Sequence, residues 1–337
     1  MLDFSDVLIL PTASDVESRR FVNLTRKFKF KYSPYELECV PIMASNMNTV
    51  GTPTIMFELA KERAFTCLHK FVSLEEFKEN TYKMKGMRDN FAPTIGYSSD
   101  EIIRLKDIQK IINFKVICID IANGHLIGFV NFCKYIRELY PDKIIIAGNV
   151  CTPEGVEKLI IEGMVDIVKC GIGGGSACTT RIKTGIGFPQ FSCISECSKK
   201  AHELGALIIS DGGITCPGDV SKAFGAGADF VMVGGQFAGH EENPGKIIEE
   251  NGKLFKEFYG MSSEHAMNKN YGEKKSYRTS EGRYMKIPYK GKMSDTLEDF
   301  LGGIRSTCAY TNCMNIADMV GQLTFIKVNN QYNRSLV

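Results

Sequence analysis

The sequence predicts an α/β fold, a closed (β/α)8 TIM barrel, and three observations point to it. Short apolar runs recur at 40–45, 65–69, 91–97, 116–120, 143–149, 167–170, 207–211 and 230–234. They are rich in β-branched residues and lack polar alternation, as strands of a parallel sheet covered on both faces do. Between them lie segments with apolar residues three and four apart over a polar face. Polar and glycine-rich residues follow the runs and do not precede them: Ser45-Asn46, His69-Lys70, 120–125, Gly148-Asn149, 171–181, 211–213 and Gly234-Gly235. Barrels carry their chemistry on the loops after the strands, which matches this asymmetry. A doubly wound open sheet is the alternative that strand-helix alternation leaves open.

Residues 1–38 precede the repeat. The helix 52–63 starts at Pro53, 153–163 starts at Pro153 and ends at Gly163, 190–204 ends before Gly205, and 217–224 starts at Pro217; helices at 74–85, 99–113 and 126–140 complete the series. Proline fits a first helical turn, whose N–H has no partner, and glycine fits a helix exit. Residues 249–295, rich in Lys, Tyr, Gly, Ser and Glu, interrupt the repeat between the eighth strand and the last helix. Their weak apolar periodicity suggests a mobile flap over the site, with a solvated surface hairpin as the alternative. Residues 296–304 can then close the barrel, and 329–337 read as a flexible tail. The expected organisation is one barrel domain over 1–337 with the flap inserted in it.

The length of 337 residues permits two domains at about 150 residues each, or one barrel with an insertion. Forty-one Lys and Arg against 39 Asp and Glu leave a net charge of +2, too small a field to hold a polyanion, so nucleic acid is not expected as a partner. No run of 18 apolar residues occurs, and the opening MLDFSDVLIL lacks a basic then apolar signal pattern; no membrane partner and a cytoplasmic location are expected. The 12 Cys are scattered without a CxxC pair, which suggests free thiols in a reducing compartment.

The most informative stretch, 171–181, ends a strand in flexible backbone and then presents a thiol, hydroxyls and a guanidinium. Cys178 is the candidate nucleophile, because Arg181 nearby favours the thiolate. An inert structural thiol, like the other Cys, is the alternative. Gly171 and Gly173 imitate part of a dinucleotide fingerprint, but Ser176 replaces its third glycine and the next long helix begins too late. Asp211-Gly212-Gly213 and Gly234-Gly235 end strands seven and eight, where barrels bind phosphate on backbone N–H groups; tight strand exits are the plainer reading. Asp211 there suits a ribose diol better than the role of a base. His69 and Asp120 end earlier strands, whereas His202 and His240 have no partners at ligand spacing, so no transition-metal site is expected.

The motifs GGGSACTTR (173–181), IISDGGITCPGDVSKAFGAGADFVMVGG (208–235), FYGMSSEHAM (258–267), YRTSEG (277–282), IPYKG (287–291) and LGGIRSTCAY (301–310) occur in that order. In them, and along nearly its whole length, the chain resembles the GMP reductases, relatives of the IMP dehydrogenases. The resemblance implies a homotetrameric barrel that uses NADPH to convert GMP to IMP and ammonia. It implies Cys178 as the nucleophile on C2 of the purine, with Thr180 and Glu281 relaying protons to the departing amine. It places GMP on Ser176, Asp211, Gly212, Gly213, Gly234, Gly235, Gly260, Met261 and Ser262, with the base near Arg278, Ser280 and Gly282. His69, Lys70, Asp120, Ala122 and Asn123 correspond to nicotinamide contacts. Ser18 and Arg19 of one subunit and Ser306, Thr307, Cys308 and Ala309 of another correspond to adenosine contacts. Gly173, Gly175, Cys178 and Arg181 match a loop whose backbone carbonyls hold a potassium ion. The chain departs from the family pattern at Gly174, Ala177, Ala309 and His125.

Two rival readings share much of this. An IMP dehydrogenase would oxidise IMP to XMP with NAD; against it stand Cys-Thr-Thr-Arg at 178–181, the lack of room for a long regulatory insertion and the short flap with Ser280-Glu281-Gly282. The dipeptide Arg283-Tyr284 lies after that motif, where a water-activating pair is not expected. A catalytically silent purine-nucleotide-binding regulator is the second rival, disfavoured by the presence together of Cys178, Thr180 and Glu281.

Overall fold

The computed structural model describes residues 1–271, 279–329 and 331. The chain begins with β1 (Val7–Ile9) and the hairpin β2 (Arg26–Phe28) and β3 (Leu37–Cys39). The repeat follows: β4 (Ile42–Ala44), α1 (Pro53–Lys61), β5 (Phe65–Leu68), α2 (Leu74–Lys85), β6 (Phe91–Ile95), α3 (Ser99–Ile111), β7 (Val116–Asp120) and α4 (Ile127–Leu139). It continues with β8 (Ile144–Val150), α5 (Pro153–Ile161), β9 (Ile167–Cys170), the short α6 (Thr180–Thr184), α7 (Gln190–Glu203), β10 (Leu207–Asp211), α8 (Pro217–Gly225) and β11 (Phe230–Val233). Strands β4 to β11 are parallel to their neighbours, and β11 returns to β4 to close the barrel. The closed barrel replaces the open-sheet alternative.

Local chemistry explains the helix starts. Thr52 and Thr152 accept the N–H groups of Ile55 and Gly155, with proline opening α1, α5 and α8, and Ser73 with Glu76 forms a reciprocal capping box on α2. Inward residues of the strands form an apolar barrel interior that includes Met43, Phe65, Val116, Ile144, Ile167, Ile209 and Phe230. Outward residues pack under the helices as a second, larger core.

Three regions add to the sequence reading. The β2–β3 hairpin, within the stretch set outside the repeat, plugs the barrel bottom, with Phe28 stacked on Phe230 at 4.2 Å between ring centroids. After β11 come β12 (Ile248–Glu250), β13 (Lys253–Tyr259), α9 (Glu264–Tyr271) and β14 (Tyr284–Pro288), the strands forming a three-stranded antiparallel sheet. β14 alternates exposed and half-buried residues over only 5 positions, too few for periodicity to stand out. The closing helix α10 (Met293–Tyr310) begins earlier and runs further than the expected 296–304, and β15 (Phe325–Lys327) returns to pair with β1. Among the described residues no helix is long and apolar enough to cross a membrane.

Candidate active site

A cavity of about 240 Å³ opens at the C-terminal ends of the barrel strands. The loop after β9 forms one wall. It leaves the strand through Gly171, at φ 141°, where a Cβ would lie 2.0 Å from the Asp211 carbonyl oxygen, so only glycine fits the backbone there. The loop then turns on a hydrogen bond from Cys178 N–H to Gly175 O (3.0 Å) and presents Cys178 to the cavity.

Residues 281–283 cross this wall like a short strand. Gly282 bridges Cys178 in antiparallel fashion, Thr179 N–H donates to Glu281 O (2.8 Å), and Arg283 N–H donates to Ala177 O (2.8 Å). On the other side Glu281 N–H donates to Ser262 O (3.1 Å) and Gly260 N–H to Arg283 O (3.0 Å). The crosspiece thus ties the Cys178 loop to residues 260–262, and it puts the Glu281 side chain over α6. Cys178 Sγ donates to Thr180 Oγ1 (3.2 Å), which donates to Glu281 Oε2 (2.7 Å). Thiol, hydroxyl and carboxylate form one continuous path for a proton. Ten of the 12 thiols are buried; Cys178 and Cys216 are partly exposed, and only Cys178 of these lines the cavity. Burial pushes Cys151 up to about 11 and Cys308 up to about 12, so both stay protonated near neutral pH.

The floor is polar. Lys169 of β9, 1 % exposed, lies between Asp120 (2.5 Å) and Asp211 (3.2 Å). Burial would lower its pKa, but Asp120 and then Asp211 overcome that and hold it well above the usual lysine value. Asn149 Nδ2 donates to Asp211 Oδ2 and to Gly171 O, both at 2.8 Å. Sequence reasoning missed Lys169 entirely, along with Met47, Met232 and Phe258 in the cavity wall.

Of the residues expected for the nucleotide, Ser176, Asp211, Gly212, Gly213, Gly234, Gly235, Gly260, Met261, Ser262 and Gly282 line the cavity. Ser280 lies behind the wall, where Oγ accepts Glu264 N–H (3.1 Å) and donates to Gly282 O (3.1 Å). Arg278 lies outside the described residues. Of the residues expected for the nicotinamide, Asp120 and Ala122 line the cavity, whereas His69, Lys70 and Asn123 do not. His69 Nδ1 accepts Phe71 N–H (3.1 Å), and burial, with Arg104 and Lys269 nearby, drives its pKa down to about 4.

The residues expected on the adenosine side do not line this cavity. Ser18 and Arg19 open a 3₁₀ turn (Arg19–Phe21) that packs on α10 of the same chain, because Thr12 N–H donates to Tyr310 O and Asp15 N–H to Asn312 Oδ1. Within one protomer the segment that carries Ser18 and Arg19 therefore lies beside the helix that carries Ser306, Thr307 and Ala309. The Cys308 side chain is buried against Met319, 3.2 Å between sulfurs. The Arg181 guanidinium bonds to Asp3 (3.1 Å) and Phe188 O (2.5 Å) and so anchors the loop.

The whole chain fits a known family. The model of the IMP dehydrogenase / GMP reductase domain matches residues 1–334. The chain is 48% identical over 333 residues to GMP reductase 2 of Homo sapiens, covering 98% of this chain and 95% of the relative. It is 48% identical over 334 residues to GMP reductase of Buchnera aphidicola, with 98% and 95% covered. To GMP reductase of Caenorhabditis elegans it is 47% identical over 336 residues, with 98% and 93% covered. With a closed barrel, a thiol at its catalytic end and this likeness from end to end, the chain belongs to the IMP dehydrogenase / GMP reductase family.

Proposed function

We propose that the protein reductively deaminates GMP to IMP and ammonia with NADPH. The observation that carries this reading is the path Cys178–Thr180–Glu281 in the wall of one cavity, in a chain about half identical to proteins named GMP reductase. Cys178 Sγ attacks C2 of the purine, and its proton passes through Thr180 Oγ1 to Glu281. Glu281 returns that proton through Thr180 to the 2-amino group, which leaves as ammonia while the C2–S bond remains. NADPH, when bound, supplies the hydride that C2 accepts. The C2–S bond then breaks, and Cys178 leaves as thiolate to free IMP. The crosspiece 281–283 excludes water from C2, which would otherwise yield XMP.

Asp211 is placed to accept from the ribose hydroxyls, and the backbone at Gly213, Gly234 and Gly235 is placed to bind phosphate, at the ends of the seventh and eighth barrel strands. The cofactor end fits a nicotinamide: Asn149 Oδ1 is buried with no partner among the described residues, beside Asp120 and Ala122, and would accept from a carboxamide. The carbonyls of Gly173, Gly175, Cys178 and Arg181 would hold a potassium ion, a hard cation that suits such donors. Gly175 O and Arg181 O each accept one backbone N–H already and keep a second lone pair. The surface at Ser18, Arg19, Ser306, Thr307 and Ala309 does not line its own protomer's cavity, so adenosine would reach it on a neighbouring copy. Phe21 and Tyr310, 52 % and 61 % exposed, flank it and support a homotetramer.

Acid quenching during turnover followed by peptide mapping tests the chemistry. A purine nucleotide lacking its 2-amino group is expected on the Cys178 peptide; a free Cys178 throughout turnover would contradict the covalent route.

A further inference from the structure

The inner layers of the barrel can be followed up its strands. Cys118, Ile146, Ile167 and Ile209 face the apolar interior. Two positions further on, and so on the same face, stand Asp120, Gly148, Lys169 and Asp211. Gly148 pairs with Asp120 on one side and with Lys169 on the other. A Cβ on Gly148 would come within 2.5 Å of Lys169 Cβ, so the missing side chain makes room for the lysine to cross the barrel axis. There the ammonium meets Asp120 Oδ2 (2.5 Å), Asp211 Oδ2 (3.2 Å) and Asn46 Oδ1 (3.1 Å). The ammonium donates hydrogen bonds to Asp120 and Asn46 and forms an ion pair with Asp211.

We propose that Lys169 is a positioning residue that holds the nucleotide-side carboxylate Asp211 and the cofactor-side carboxylate Asp120 on one buried ammonium, and so couples the two halves of the cavity. This rests on the reading of the site as one for GMP and NADPH. Without the cation the two carboxylates on the cavity wall lose their shared counterion; they repel, and one takes up a proton or swings out. Either change spoils an acceptor aimed at a ligand. Loss of Lys169 therefore damages both binding ends.

Calorimetric binding of GMP and of NADPH to the full-length protein tests this. Lys169→Met, which keeps the volume, should weaken both ligands by about ten- to a hundredfold, the range for a charged hydrogen bond. Adding Asp120→Asn to Lys169→Met should recover GMP affinity severalfold, because it removes the charge that repels Asp211. A purely structural lysine would give no such recovery. Wild-type affinity for both ligands in Lys169→Met, weakening of only one, or a further loss with Asp120→Asn would overturn the proposal. If Lys169→Met does not fold, melting of Asp120→Asn, Asp211→Asn and their double variant decides. Either carboxylate alone still pairs the ammonium, so the double variant should lose more than the sum of the two, and an additive result overturns the bridge. Failure of the wild type to bind GMP would instead refute the reading of the site and leave the melting cycle as the test of Lys169.

Discussion

Thr180 and Glu281, 101 positions apart in the chain, share a hydrogen bond of 2.7 Å whose donor hydroxyl also accepts from the Cys178 thiol. Backbone pairing on both sides of Glu281 fixes its carboxylate there. Glu281→Gln keeps the shape and removes the proton acceptor. Turnover is expected to fall by about 10²- to 10⁴-fold, while GMP affinity stays within a few fold. Rapid-quench ammonia release beside equilibrium binding checks it, and unchanged ammonia release would remove Glu281 from proton transfer.

Cys178→Ala removes the proposed nucleophile. The variant is expected to bind GMP, form no adduct and lose at least about 10³-fold in turnover. Intact mass under turnover conditions is the measurement. Substantial residual turnover would exclude the thiol as nucleophile.

Gly282 tests the crosspiece itself. A Cβ there would lie 2.7 Å from Ser263 N and 3.2 Å from Gly260 Cα, so Gly282→Ala must push the crosspiece off the residues behind it. Displacing Glu281 by about 1 Å costs on the order of 10²-fold in rate. The expected result is a lower kcat with a melting temperature near wild type, and wild-type kcat would show that the crosspiece tolerates movement.

Much of the frame was legible because a parallel strand covered on both faces is an uninterrupted apolar run, and all eight barrel strands overlap the runs read from the sequence. Cys178 was legible as a thiol just after such a run. Glu281 was not legible from spacing: its contact with Thr180 depends on tertiary pairing, and only family likeness brought it forward. Lys169 escaped for a different reason. It sits inside the run Ile167–Cys170 as an inward residue, and its charge is balanced by carboxylates on two other strands.

His69 gives a pH dependence of known sign. Its pKa is about 4 in the fold, against about 6.5 in an unfolded chain. Between those values the unfolded chain binds more protons, so this group's contribution to stability is full above about 6.5 and declines as pH falls toward 4. Melting temperature should drop over that window, and less steeply in His69→Asn, which keeps an acceptor for Phe71 N–H. Equal slopes for the two proteins would contradict the assignment.

Asp166 provides a structural control. Fully buried, it accepts from Arg137 Nη2 (2.5 Å) and from the N–H groups of Tyr32 (2.8 Å), Ser33 (3.2 Å) and Ile145 (3.0 Å). Asp166→Asn leaves the Arg137 cation buried without its counterion and should cost about 3–5 kcal/mol in urea unfolding. KM for GMP should stay at the wild-type value, because the hydrogen-bond partners named for Asp166 do not line the cavity; a changed KM would link it to the site.

The most direct test of the central claim is product identification. The protein is supplied with GMP and NADPH, and in parallel with IMP and NAD, and nucleotides are separated by chromatography while reduced cofactor is followed by absorbance. GMP-dependent loss of NADPH with IMP and ammonia formed in equal amounts is the predicted result. Production of XMP and NADH from the second mixture, with the first inert, would contradict it and assign the protein the oxidative reaction.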